Sequence, residues 1–149
     1  MMMFEKEIVV NQHTIFFWGY SGHKPADLQA LAEETGAMIV DARMSPFSRN
    51  PTWNKSRLQS LPGLVYHHMP AFGNPNYKNG GPLAVKDMET GIEFLDALNC
   101  PAIIMCMCKD ANECHTSLIQ TELDRRGYST KQLRQATRMA LPNTQTALF

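Results

Sequence analysis

Ala102-Ile103-Ile104-Met105-Cys106-Met107-Cys108 is the most apolar run in the chain and carries no charge at any position. A strand sends alternate side chains to opposite faces, so a run apolar throughout reads as a strand buried on both. Thr14-Ile15-Phe16-Phe17-Trp18 and Ala37-Met38-Ile39-Val40 share this character. Strands covered on both faces belong to parallel sheets packed between helices. The intervening segments supply the helices. Leu28, Leu31 and Ala32 follow Pro25 at helical spacing, Val85, Met88, Ile92, Leu95 and Leu98 form a second apolar stripe, and Leu118, Ile119 and Leu123 a third. Gly36 and Gly127 stand where helices of this kind close. Asn112 is the expected cap of the last one. Shorter strands are expected over Gly63–Met69 and Tyr128–Leu133, with a short helix over Lys55–Leu61. The order strand, helix, strand is the βαβ unit. Its repetition predicts an α/β fold, a Rossmann-like three-layer sandwich around a mostly parallel sheet of about five strands.

A length of 149 residues is that of one domain. Residues 1–13 read as an N-terminal arm and 134–149 as a C-terminal extension. Fourteen Lys and Arg balance fourteen Asp and Glu. That neutrality excludes a broad basic surface for nucleic acid, leaving only a local patch, and excludes a polybasic membrane anchor. No apolar run approaches the roughly 18–20 residues of a membrane span. The first residues lack the basic and apolar segments of a secretory signal, so the expected location is cytoplasmic and the thiols reduced. The four cysteines, Cys100, Cys106, Cys108 and Cys114, fall within one stretch of fifteen residues.

In sheets of this class, ligands bind beyond the carboxyl ends of the strands. Three loops begin there. The first is Gly19-Tyr20-Ser21-Gly22-His23. Its glycines let backbone approach a phosphate or carboxylate at a helix N-terminus, although a plain strand-to-helix turn uses the same residues. Tyr20, Ser21, Gly22 and His23 are the candidate ligand contacts here. The second loop opens on Asp41-Ala42-Arg43 and continues through Ser45, Ser48 and Asn54. The Arg43 guanidinium is a planar fork suited to an anion, and Asp41 can move a proton; the two can equally form a structural ion pair. If they serve function, Asp41→Asn and Arg43→Ala abolish binding or turnover and leave the melting temperature nearly unchanged. The third runs from Cys106 through Cys108 to Cys114 and His115. Residues two apart on a strand share a face, and a thiol in a helix's first turn is stabilised as a thiolate. Cys108, Cys114 and His115 thus converge as a reactive thiol, a metal site or buried small hydrophobes, with Cys106 on the same strand face as Cys108. Metal ranks last, because the spacing matches no paired zinc knuckle and no zinc deaminase pattern. His67 and His68 alternate faces on their strand, and His67 is taken as the one facing the site. The Pro70–Pro82 loop is long enough to be functional or mobile.

Gly-Tyr-Ser-Gly at 19–22, Val-Asp-Ala-Arg at 40–43, Ser-Pro-Phe-Ser-Arg at 45–49 and Asn54-Lys55 form one ordered set of motifs. Tyr66-His67 with Pro70, Phe72 and Gly73, then the Cys106 strand leading to Cys114-His115, form a second. Together they resemble the bacterial, archaeal and phage family called domain of unknown function 488, over roughly Thr14 to Leu133. The resemblance implies a Rossmann-like fold and enzyme-like polar motifs, with no reaction attached. It also implies an acidic residue where this chain has Cys108 and a basic one where it has Thr116.

Three functions are expected from these residues. The first is an enzyme acting on a small anionic or nucleotide-like ligand, with Asp41, Arg43, Cys114 and His115 as its catalytic set. The second is a non-catalytic module for nucleic acid or protein, resting on Arg43, Arg49, Lys55 and Arg57. The third is a thiol enzyme on the rhodanese or phosphatase plan, which places a cysteine in an anion-cradling loop. That loop lacks the plan's arginine. The sequence names no cofactor.

Overall fold

A computed structural model describes residues 12–108 and 114–133. The residue 1–11 part of the expected arm, the Lys109-Asp110-Ala111 loop, the Asn112 cap and the 134–149 extension lie outside the described residues. Five strands alternate with four helices: β1 Ile15–Gly19, α1 Pro25–Thr35, β2 Met38–Asp41, α2 Lys55–Gln59, β3 Tyr66–His68, α3 Met88–Ala97, β4 Ala102–Cys106, α4 Thr116–Arg125 and β5 Thr130–Gln132. The strands form one sheet in the order β3-β2-β4-β1-β5, and every pairing is parallel. The fold is therefore the α/β three-layer sandwich that the apolar runs predict.

Each face of the sheet has its own core. Leu28, Leu31 and Ala32 of α1 and Leu58 of α2 pack with Ile39, Ile103 and Met105 on one side. Ile92 and Leu95 of α3 and Ile119 and Leu123 of α4 pack with Ile15, Phe17, Val40 and Ile104 on the other. A single hand of crossover produces this split. The chain moves one way across the sheet through β1, β2 and β3, then reverses for β4 and β5. Ile103 and Ile104 belong to opposite cores, and β4 is buried at all five residues. β4 is thus the central strand, as its composition requires.

The reversal matters for function. β1 and β2 send their chains onto one face, whereas β4, seated between them, sends its chain onto the other. The carboxyl end of β4 is therefore the topological switch point, where such sheets bind ligands.

Some boundaries differ from the sequence expectation. β3 covers three residues of the expected seven. α3 starts at Met88, with Asp87 as its cap through Thr90 N (3.2 Å), so Val85 precedes the helix. α4 starts at Thr116, and Cys114 and His115 form the turn before it, closed by Ser117 N on the Cys114 carbonyl (2.9 Å).

Candidate functional site

Residues two apart leave a strand on one face, so the exit of β2 places Asp41 and Arg43 together. Asp41 is fully buried and Arg43 nearly so. Arg43 donates from Nε to Asp41 Oδ1 (2.8 Å) and from Nη2 to Oδ2 (2.6 Å), and its backbone N–H adds a third bond to Oδ1 (3.1 Å). Tyr66 donates its hydroxyl to Asp41 Oδ2. The remaining guanidinium arm donates from Nη1 to the Tyr20 hydroxyl (3.1 Å). The pair is therefore bidentate and closed on two sides. Burial opposes the Arg43 charge, but the bonds to Asp41 outweigh it and raise the guanidinium pKa further. Burial, then the Asp41 charge, drives the Tyr66 phenol well above its ordinary range. This geometry makes Asp41–Arg43 a brace. The fork that the sequence assigns to an anion is engaged by Asp41.

Aromatic rings continue the brace toward β1. The Tyr20 ring stacks on Trp53 with centroids 4.3 Å apart, and the Arg43 guanidinium lies 5.3 Å from the Tyr20 centroid. Trp18 contacts both Trp53 and His23. His23 donates from Nδ1 to Asp27 Oδ2 of α1 (3.1 Å). Its Nε2 is buried and has no hydrogen-bond partner among the described residues. Gly22 turns this loop at φ +85°, a conformation that favours glycine. Ser21 and Ser45 are half-buried on the two loops. Asn54 accepts from Ser48 N (2.6 Å), so both hold the loop after β2 in shape.

The third wall is the exit of β4. Cys106 and Cys114 are buried, Cys108 is half-buried, and all are free thiols. The sulfurs of Cys106, Cys108 and Cys114 lie within 4.8 Å of one another, with Cys106 and Cys114 3.0 Å apart. Thr116 donates its hydroxyl to Cys114 Sγ (3.2 Å), and His115 Nδ1 lies 3.8 Å from the same sulfur. Of the three thiols, Cys114 is the one whose ionised form the other two favour. Hydrogen bonds from Cys106 and Cys108, against the cost of burial, hold its pKa far below the thiol range. Cys106 is pushed up by its bonds to the other two sulfurs and by burial. Cys108 is pushed up to about 12, where the Cys114 sulfur and burial overcome a lowering bond from Cys106. Burial lowers the His115 pKa, and the Cys114 sulfur with the carbonyls of Ala42 and Phe72 more than reverses this.

Two histidines tie the β2 exit to its neighbours. His115 donates from Nε2 to the Ala42 carbonyl (2.9 Å), and His68 donates from Nε2 to the Arg43 carbonyl (2.7 Å). His68, not His67, therefore makes this contact. His67 is exposed and stacks on Phe94 of α3 (4.4 Å). Gly19 closes the arrangement from the β1 side. A Cβ there would lie 1.6 Å from the Cys108 carbonyl oxygen, so only glycine lets the chain leaving β4 cross so close to β1.

No family model, curated protein or solved structure matches the chain.

The structure thus joins Tyr20, Asp41 and Arg43 in one network, and Cys106, Cys108, Cys114 and His115 in another. The Ala42 carbonyl, accepting from His115, links them. Tyr66, His68 and Thr116 complete these networks without having been singled out as site residues by their spacing. Tyr66 was findable, since Asp41 and a residue of the same face on an adjacent parallel strand come within reach.

Proposed function

We propose that the protein is an enzyme acting on a small anionic or nucleotide-like ligand at the carboxyl edge of the sheet. The thiol cluster at the end of β4 is its reaction centre. The observation that carries this reading is the meeting of Cys106, Cys108 and Cys114 at the switch point, where ligands of such sheets sit. Cys114 and His115 occupy the turn that opens the ten-residue helix α4, whose N-terminal end favours negative charge. His23 Nε2, buried and without a partner among the described residues, lies on the β1 side. Asp41, Arg43 and Tyr66 hold the wall between them. The motifs that resemble domain of unknown function 488 lie largely on this same edge.

The other two readings have less support. Between Cys108 and Thr116 the sequence contains no arginine, and Arg43 is engaged by Asp41, so a phosphatase-like cradle lacks its clamp. Arg43, being buried, also drops out of the basic run toward Arg57, which weakens a phosphate-contacting surface.

The test is thermal unfolding of the full chain against inorganic phosphate, sulfate, nucleoside mono- and diphosphates and small carboxylates. One class raises the melting temperature by about 5–10 °C at a hundredfold excess over its Kd. Cys114→Ser and His115→Ala abolish the shift, while Cys100→Ala, outside the cluster, keeps it. A shift that survives in both site variants overturns the proposal.

A further inference from the structure

Thiols gather in a buried group at a cost, because no more than a fraction of them can carry charge without a cation beside them. Here the gathering is built by the fold. Cys106 and Cys108 leave β4 on one face, and Cys114 returns to them in the turn before α4. Tetrahedral zinc, with Zn–S bonds of about 2.3 Å, holds its sulfurs about 3.8 Å apart. The observed spacings, 3.0 Å for Cys106–Cys114 and no more than 4.8 Å for any pair, bracket that value. Shifts of about 1 Å in sulfur position bring all three to it. The group contains three sulfurs and no carboxylate or imidazole among the described residues. A trio of protein ligands with one position open is the arrangement of catalytic zinc.

The surroundings match what supports a thiolate–metal centre. Thr116 Oγ1 donates to Cys114 Sγ at 3.2 Å, which orients that sulfur. His115 is fixed by its Nε2 bond to the Ala42 carbonyl and keeps Nδ1 beside Cys114. Gly19 admits the Cys108 carbonyl, which keeps the third sulfur close. Sulfur ligands in this number select a thiolate-seeking cation over magnesium or calcium.

We infer that Cys106, Cys108 and Cys114 bind one divalent cation, zinc by preference, with the fourth position open to water or to the ligand. The role of that cation, polarising a ligand oxygen or activating water, rests on the enzyme reading above. The binding itself does not.

The experiment uses the full chain, purified under reductant without chelator, then stripped with EDTA and titrated with Zn2+ and with Co2+. The expected result is about one zinc per chain by elemental analysis, and with Co2+ a thiolate charge-transfer band plus intense visible bands of a tetrahedral site. Cys106→Ala, Cys108→Ala and Cys114→Ala each weaken zinc binding by more than about a hundredfold, whereas Thr116→Val costs roughly the ten- to hundredfold typical of a supporting group. Cys100→Ala binds as the parent does. Cys108 is half-buried, so Cys108→Ala keeps the fold even where truncating the buried pair does not, and circular dichroism verifies this. The inference is overturned if the folded, stripped protein takes up neither ion, or if folded Cys108→Ala binds zinc like the parent. The two readings separate cleanly. Zinc uptake with no anionic ligand upholds the metal and removes the enzyme. A Cys114-dependent ligand shift in a protein that takes no zinc does the opposite.

Discussion

Replacing Asp41 by Asn leaves the Arg43 guanidinium, about 8% exposed, without a counter-charge beside a fully buried amide. The carboxylate accepts four hydrogen bonds, three from Arg43 and one from Tyr66. An amide oxygen can keep part of that set, and the charge pairing is lost entirely. Removing one partner of a buried pair costs about 3–5 kcal/mol. For a chain of this size each kcal/mol lowers the melting temperature by about 2–4 °C, so the expected fall is roughly 6–20 °C. Arg43→Ala falls in the same range, since it leaves Asp41 buried and charged. The double variant Asp41→Leu/Arg43→Met removes both charges and stays within about 2 kcal/mol of the parent. Urea unfolding of the parent, Asp41→Leu, Arg43→Met and this double variant closes a double-mutant cycle and reads the coupling directly. If both single variants unfold within about 0.5 kcal/mol of the parent, the brace is not structural. The pair then has the direct functional role that the sequence alone allows.

Three further outcomes follow from named contacts. Tyr66→Phe removes one donor to a buried carboxylate and should cost about 1.5–3 kcal/mol in urea unfolding; no loss would mean the contact is not made in solution. Gly19→Ala forces a Cβ against the Cys108 carbonyl and should destabilise by at least about 1–3 kcal/mol, while native-state alkylation of the buried thiols accelerates; an unchanged alkylation rate would separate Gly19 from the cluster. Bonds from Arg125, then Arg126, lower the Glu122 pKa from its ordinary 4.5 to about 2. A lowered carboxylate pKa contributes stability above pH 4.5 that is lost as pH falls toward 2. Glu122→Gln should therefore be less stable than the parent at neutral pH, with the gap closing across that window; a pH-independent gap would contradict the pairing.

The layers and the strands were readable because their signal is local. β4 announces itself by seven apolar residues, and α1 by its leucine spacing, Pro25 and Gly36. The order of the strands was not, because β1, β2 and β4 are all apolar on both faces and nothing in their composition ranks them across the sheet. Asp41 and Arg43 share a face by strand periodicity alone, so their pairing was open to view. What that pairing does depends on Tyr20 and Tyr66, which arrive from 23 and 25 residues away respectively. The thiol cluster shows the same limit. A spacing of one residue and then five fits no zinc knuckle, so local pattern ranked metal last. The structure brings Cys114 back beside Cys106 and Cys108, a proximity that spacing does not describe. His67 against His68 was a choice of face on a three-residue edge strand, and the site contact falls to His68.

The proposed site of function is the end of β4. Chemical-shift mapping on isotope-labelled protein tests it most directly, using whichever anion raises the melting temperature. The expected shifts concentrate at residues 19–23, 42–44, 106–108 and 114–117, with none at the opposite edge around Ala37 and Pro101. Shifts centred on that opposite edge, or on the exposed Arg49 and Arg57, would contradict it.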